Sequence, residues 1–576
     1  MDQLVQSVAF GRLHAVSDQQ RSLFDTRNIL GRFWSKDLSL WPFDETQLRV
    51  IQSNLTWVDL PDILEPMLLE ISQAADDCVR EGLIHWVFLA LGSSSLAARA
   101  TLPLVTTPLP VLFSVLDSSH PSAIRDLESR IDLQKAGFIL ANKAGDKLED
   151  HALFLYFQKL LSNTIDSEIG RRFTSITRSN SFLAGISQGY TFRASFLDPP
   201  QLLSSYCSVI HFSALAACLS LMDSHPSLSS VRAMRELCQS ASPSNPALQL
   251  AVFLSSAAVA SCQYLVFLSS PALAAYSNRL GHLVGGSLAQ EGCGLIPVCG
   301  DVPRVTEGIQ DRAAFVFLTM EGQDDAELME KLNAFRDSGV PFVWMQIRGA
   351  VDLLPETFKW EIAVALACAG LGFNPFDWPD VLQPRKIAMD LLERLSSDAH
   401  ALDRTPRVQE PGIELFAEGR TRSEISNLNL PEALHSFFRL KDEGGFIVLL
   451  AFLERTPEVE TSLWEYRELL ARKLRVPVLL HYGPRCFDQY AYLCRSGVPH
   501  ALYLMITADY PWDARIPGAD YTFSQLHLSL VLGEFESKVQ LESPHPLVIR
   551  LNLSGKLTKS LASLKRLLAQ ALPRNP

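Results

Sequence analysis

From residue 81 onward, short runs of apolar residues alternate with longer stretches whose apolar positions follow a helical period. That alternation predicts repeated βα units around mostly parallel sheets, because a strand covered on both faces is apolar along its length. Strands are predicted at 85–90, 111–116, 137–141, 172–176, 264–268, 314–319, 341–347, 446–451, 476–481, 501–507 and 546–551. Between them, 148–161, 324–337, 355–371, 457–473 and 555–572 read as helices. The first 80 residues read as several helices without a clear strand. Ala247 to Ser269 is apolar enough to suggest a membrane span, but Gln249, Gln263 and recurrent serines interrupt it. It reads instead as a buried helix followed by a strand at 264–268.

At 576 residues the chain is too long for a single core. Two stretches punctuate it: the Ser/Pro-rich 223–246, and the polar, weakly periodic 397–429. They predict an N-terminal helical region (1–80), a first α/β lobe (81–235) and a second α/β lobe (246–576) containing 397–429 as a polar linker. A net charge of −12 argues against a broad nucleic-acid or anionic-membrane surface and leaves room for a small anion bound locally. The ten cysteines include no C-x-x-C pair, so no metal site or redox motif is predicted. Met1-Asp-Gln-Leu-Val lacks a basic and apolar leader, and a cytoplasmic setting is expected.

The most informative local feature is His85-Trp-Val-Phe-Leu-Ala-Leu-Gly-Ser-Ser-Ser-Leu-Ala97, an apolar run that breaks into a Gly92-Ser-Ser-Ser95 turn opening a helix. Backbone N–H groups at a helix start have no intrahelical partner and carry partial positive charge. With the Ser94 and Ser95 hydroxyls they make a candidate cradle for a phosphate or another oxyanion. Gly185-Ile-Ser-Gln-Gly189 fits G-x-S-x-G, but it reads as a helix end running into a strand at 191–196, the wrong context for a nucleophile elbow.

Several ordered segments together resemble the phosphoglucose isomerase family, most closely the isomerase part of bacterial transaldolase–phosphoglucose isomerase fusions. They are Asn28-Ile-Leu-Gly-Arg-Phe-Trp-Ser-Lys-Asp37, the turn at 90–97, Val115-Leu-Asp-Ser-Ser-His-Pro121, Phe358-Lys-Trp-Glu-Ile-Ala363 and Leu371-Gly-Phe-Asn-Pro-Phe-Asp-Trp-Pro-Asp380. Leu449 to Pro457, Tyr482-Gly-Pro-Arg485, Ile506-Thr-Ala-Asp509 and Ile516-Pro-Gly518 extend the likeness. The resemblance implies two sugar-isomerase (SIS)-like three-layer α/β/α lobes with parallel sheets. It also implies a sugar-phosphate ligand, a homodimer, no cofactor and no metal. Chemistry in the family moves a proton between C1 and C2, with a glutamate as base and an arginine beside the enediolate.

Residue by residue, the resemblance carries over unevenly. The family's second phosphate loop, S-K-S-G-T-T-L-E, aligns with Asn142-Lys-Ala-Gly-Asp-Lys-Leu-Glu149, so Lys143 and Lys147 are the candidate phosphate contacts there and Asp146 opposes them. The arginine of G-G-R-Y-S falls on Ser205. The glutamate of A-E-S-T-G-K falls on Gly286 and the lysine on Gln290, while Glu291 aligns with a different family residue. Serine and glycine supply neither the fixed positive charge nor the base. A loop that carries two histidines in the family is Asp488 to Gly497 here and has none. The family lysine after F-D-Q-P falls on Arg385, a poor proton donor, and no histidine lies between His282 and His400. The residues therefore favour a non-catalytic protein that binds a sugar phosphate, a similar anion or a protein partner. The alternative is a divergent but active aldose–ketose isomerase.

Overall fold

A computed structural model describes residues 5–104, 111–142, 148–165, 168–198, 206, 225–289, 294–300, 309–377, 382–395, 397–425, 428–442, 445–484, 501–540 and 547–573. The chain opens with a strand, β1 (Val5–Ala9), followed by helices that include His14–Thr26, Ile29–Trp34 and Leu60–Arg80. The strand corrects the expectation of an all-helical start. Its five residues carry no continuous apolar run, and it gains its ladder only by pairing antiparallel with a distant strand.

The first lobe contains β2 (His85–Ala90), β3 (Leu112–Leu116), β4 (Ala136–Ala141), β5 (Phe173–Arg178) and β6 (Ala194–Asp198), in the all-parallel order β3-β2-β4-β5-β6. The second contains β7 (Tyr264–Ser269), β8 (Ile296–Val298), β9 (Ala313–Met320) and β10 (Phe342–Ile347), in the order β8-β7-β9-β10, with β1 closing the β10 edge. The central strands β2, β4, β7 and β9 are buried at every position, as continuous apolar runs require in parallel sheets covered on both faces. Both lobes draw on one hydrophobic core, in which Phe88 and Ile139 of the first join Leu265 and Val316 of the second.

A third sheet holds β11 (Val408–Glu410), β12 (Ile413–Ala417), β13 (Ile447–Phe452), β14 (Val478–Tyr482), β15 (Leu502–Ala508) and β16 (Leu547–Leu553), in the order β11-β12-β16-β15-β13-β14. The expected second lobe at 246–576 thus spans two sheets, each with its own core. The stretch 397–429, expected as a linker, forms the antiparallel pair β11–β12, with β12 paired to β16. Its strands alternate Ile413, Leu415 and Ala417 inward with Glu414 between them, a short period-two signal diluted by charged neighbours. By contacts the chain forms two compact units, one of 1–116, 131–303 and 310–379, the other of 117–130, 304–309 and 380–576. Among the described residues, no helix is long and apolar enough to cross a membrane. The 247–269 stretch is the helix Pro246–Val259 followed by β7.

Candidate functional site

In the first lobe the chain leaves β2 for β3 on one side and returns to β4 on the other. The order of the sheet therefore reverses between β2 and β4. In open α/β sheets the crevice at the carboxyl ends of such strands is where ligands sit. Ala90 and Ala141 are paired in register. The turn starting at Gly92 and the loop starting at Asn142 therefore emerge side by side, although about fifty residues separate them in sequence. Parallel pairing sets that juxtaposition.

Gly92 caps the helix Ser93–Thr101 with φ 71° and ψ −137° and donates no side-chain cap. A side chain rarely adopts this backbone, and glycine adopts it without strain. Ser93, Ser94 and Ser95 are all buried, and Ser95 Oγ donates to the Gly92 carbonyl at 2.8 Å. That bond spends one of the candidate hydroxyls on the turn itself. Replacing Gly92 by alanine is expected to cost about 1–3 kcal/mol of stability, read from urea unfolding; an unchanged midpoint would refute the strained turn.

The second loop is less hospitable. Asn142 is buried, and its carbonyl accepts from Thr177 Oγ1 at 2.8 Å. Its side-chain amide donates to the Asp150 carboxylate. Glu149 and Asp150, 0% and 4% exposed, occupy the first turn of the helix Leu148–Ser162. Carboxylates are stabilised at a helix N-terminus, and these two hold that position here. Lys143 and Lys147 lie outside the described residues, as do Asp146, Ser205, Gln290 and Glu291.

Gly286 lies within the last turn of the helix Ala274–Leu288 and is buried. The next residue, Ser287, donates from Oγ to the Pro375 carbonyl at 3.0 Å and lies 3.1 Å from the Tyr206 hydroxyl. Tyr206 directly follows Ser205, so the positions aligned with the family's arginine and glutamate have neighbours in hydrogen-bond contact. In the sequence Tyr206 stands only as part of a motif, with no role of its own. The contact is closed off from water: Tyr206 is 0% exposed and its ring packs against Trp57 at 5.4 Å and Phe376 at 5.3 Å. Burial pushes its hydroxyl well above the usual tyrosine range. Phe376 also meets Trp41, which places Phe376 in an aromatic core. Arg385 lies in the helix Leu382–Leu395, which belongs to the second unit.

The serine of Gly185–Gly189 follows the sequence expectation. Ser187 sits in the helix Phe182–Gly189, ahead of β6, with its hydroxyl on Ser175. Among the described residues no group of three His, Cys, Asp or Glu side chains is placed to hold a metal.

No protein-family model and no curated protein matches the chain. Solved structures do. A hypothetical protein from Thermus thermophilus superposes with a TM-score of 0.57 at 17% identity, over 67% of this chain and 99% of that one. A glucose-6-phosphate isomerase from Chlamydia trachomatis superposes with a TM-score of 0.50 at 13% identity, over 67% of this chain and 87% of that one. At such identities the likeness establishes the fold: parallel α/β lobes of the phosphosugar isomerase (SIS) type, preceded by a helical N-terminal region.

Proposed function

We propose that this chain is a phosphoglucose-isomerase-like protein that binds a sugar phosphate or similar small anion in the cytoplasm and has given up isomerase chemistry. The observation that carries this reading is the position aligned with the family base. It is Gly286, buried within a helix, beside the Tyr206–Ser287 contact and its aromatic packing. A proton shuttle between C1 and C2 needs a carboxylate in reach of substrate, and neither Gly286 nor Ser205 supplies a charged group. Binding is supported separately by the glycine-serine turn at the carboxyl end of β2, next to the Asn142 loop. Asp150, unlike Glu149, lies outside the family motif and weakens the preference for a dianion there, since like charges a few Å apart repel by roughly 1 to several kcal/mol. A role in binding or in contact with a partner protein fits this balance better than turnover does.

A coupled assay from fructose 6-phosphate to glucose 6-phosphate is expected to show no turnover above background. A rate near ~10 per second would instead make the chain a divergent isomerase. Calorimetry with 6-phosphogluconate addresses binding alone. Ser94→Asp, which places a carboxylate in the turn, is expected to abolish that binding, and unchanged affinity would remove the turn from the site.

A further inference from the structure

The third sheet has its own point of reversal. From β13 the chain crosses to β14 on one side and comes back to β15 on the other, with Ala451 opposite Ile506 and Phe452 opposite Thr507. The crevice beyond those carboxyl ends lies wholly in the second unit. It gathers Phe452, Glu454 and Arg455 after β13, Tyr510 after β15, His527 from the helix Phe523–Gln540, and His120 from the segment 117–130.

The floor of this crevice is a cluster of rings. Tyr510 OH lies 2.7 Å from His527 Nδ1, and the His120 ring stands 5.0 Å from His527 and 5.3 Å from Tyr510. Phe452 closes on His527 at 6.0 Å, and Gly483 leaves room for it, since a Cβ there would lie 2.1 Å from the Phe452 ring. His527 is 0% exposed, and its Nε2 meets no partner among the described residues. Burial holds His120 at about 4 and His527 well below the usual histidine range, so both rings are uncharged near neutral pH. The floor is therefore uncharged, with His120 Nδ1 accepting from the Ser122 amide at 3.3 Å.

The rim adds aromatic faces and more acid than base. The Arg455 guanidinium lies 4.6 Å over the Tyr482 ring and pairs with Glu460, and Arg125 lies 5.6 Å from the Trp512 ring. Glu454 is half-buried and accepts from Ser122, and both burial and the charge of Asp126 raise its carboxyl. Asp509 and Asp513 flank Tyr510, with Arg550 as the further cation acting on it. A phosphate would meet Glu454 and Asp126 at once, and a metal finds no set of three ligands among the described residues. Hydroxyl groups suit the same surface. They donate to a carboxylate or a neutral imidazole, and a sugar's C–H face packs on Tyr or Trp rings.

We propose that the crevice at the ends of β13 and β15 binds an uncharged polyhydroxylated ligand, such as an unphosphorylated hexose or hexitol, on the surface formed by Glu454, Tyr510 and Trp512 above His120 and His527. This site is independent of the turn at Gly92, so the two readings fail separately. The full chain is titrated with glucose and with sorbitol by calorimetry, while histidine ring signals are followed by NMR. Saturable binding of at least one probe is expected, with shifts of two histidine resonances. Glu454→Gln and Trp512→Ala, both at partly exposed positions, are each expected to weaken it about tenfold with far-UV circular dichroism unchanged. Ser94→Asp is expected to leave it intact. Absence of saturable binding to both probes, binding by both variants as tight as by the parent, or loss of binding in Ser94→Asp would each overturn the proposal.

Discussion

A glutamate placed at Gly286 is expected to destabilise the protein by about 3–5 kcal/mol and to restore no isomerase activity. The substitution returns the residue type that the resemblance assigns to this position, so it is the direct test of whether the site is dormant or closed. Gly286 is buried in the helix Ala274–Leu288, and the residues beside it are already committed. Ser287 is bonded to Pro375, with Tyr206 seated against it under Trp57 and Phe376. The introduced carboxylate would be taken out of water, and a group so placed either lacks a partner or displaces packed rings. Arg279, two turns back on the same helix face, already faces Glu361. Urea unfolding followed by tryptophan emission suits the test, because Trp41, Trp57, Trp86 and Trp360 are fully buried in the same unit. A midpoint within about 0.5 kcal/mol of the parent, or any gain in fructose 6-phosphate turnover, would mean that a substrate-accessible space exists beside Gly286.

The parts of this structure legible in the sequence are those whose signal is local. The strand runs 85–90, 264–268, 446–451 and 501–507 announce β2, β7, β13 and β15 because a parallel strand covered on both faces must be apolar throughout. The helix Pro457–Leu474 carries Thr456 as its N-cap and proline in its first turn, and its limits fall within a residue of the pattern. β1 escaped because Val5-Gln-Ser-Val-Ala becomes a strand only when β10 offers it an edge. β11 and β12 escaped because a hairpin turning at Gly412 (φ 84°) is brief and flanked by charge. At the candidate site, the Gly92 turn was legible as a motif. Its adjacency to Asn142 was not, since register across the sheet decides it. The same holds for Tyr206 and Ser287, each an ordinary neighbour of a substituted position, and for the grouping of 117–130 with 380–576. These are long-range facts, written in no window of sequence.

Truncating Glu361 to alanine is expected to cost about 3–5 kcal/mol, whereas the double replacement Arg279→Met with Glu361→Leu is expected to be near neutral or stabilising. Glu361 belongs to the Phe358–Ala363 segment that carries the family resemblance, which invites a catalytic reading. Its surroundings argue for a structural one: the side chain is 1% exposed, and its carboxylate lies 3.5 Å from the Arg279 guanidinium, itself 0% exposed. Both charges are buried from solvent. Removing one leaves the other in low dielectric, with the full desolvation cost and less compensation; removing both with apolar residues of similar volume removes that cost as well. The pair ties the helix Ala274–Leu288 to the helix Ala350–Leu371, and the first of these carries Gly286 and Ser287 to Tyr206. A double-mutant cycle measured by urea unfolding separates the two roles. If the loss in the double variant equals the sum of the losses in the Arg279→Met and Glu361→Leu single variants, the charges are not coupled. If instead the double variant is as stable as the parent but loses 6-phosphogluconate binding, the pair serves the ligand and the closed-site reading of this lobe fails.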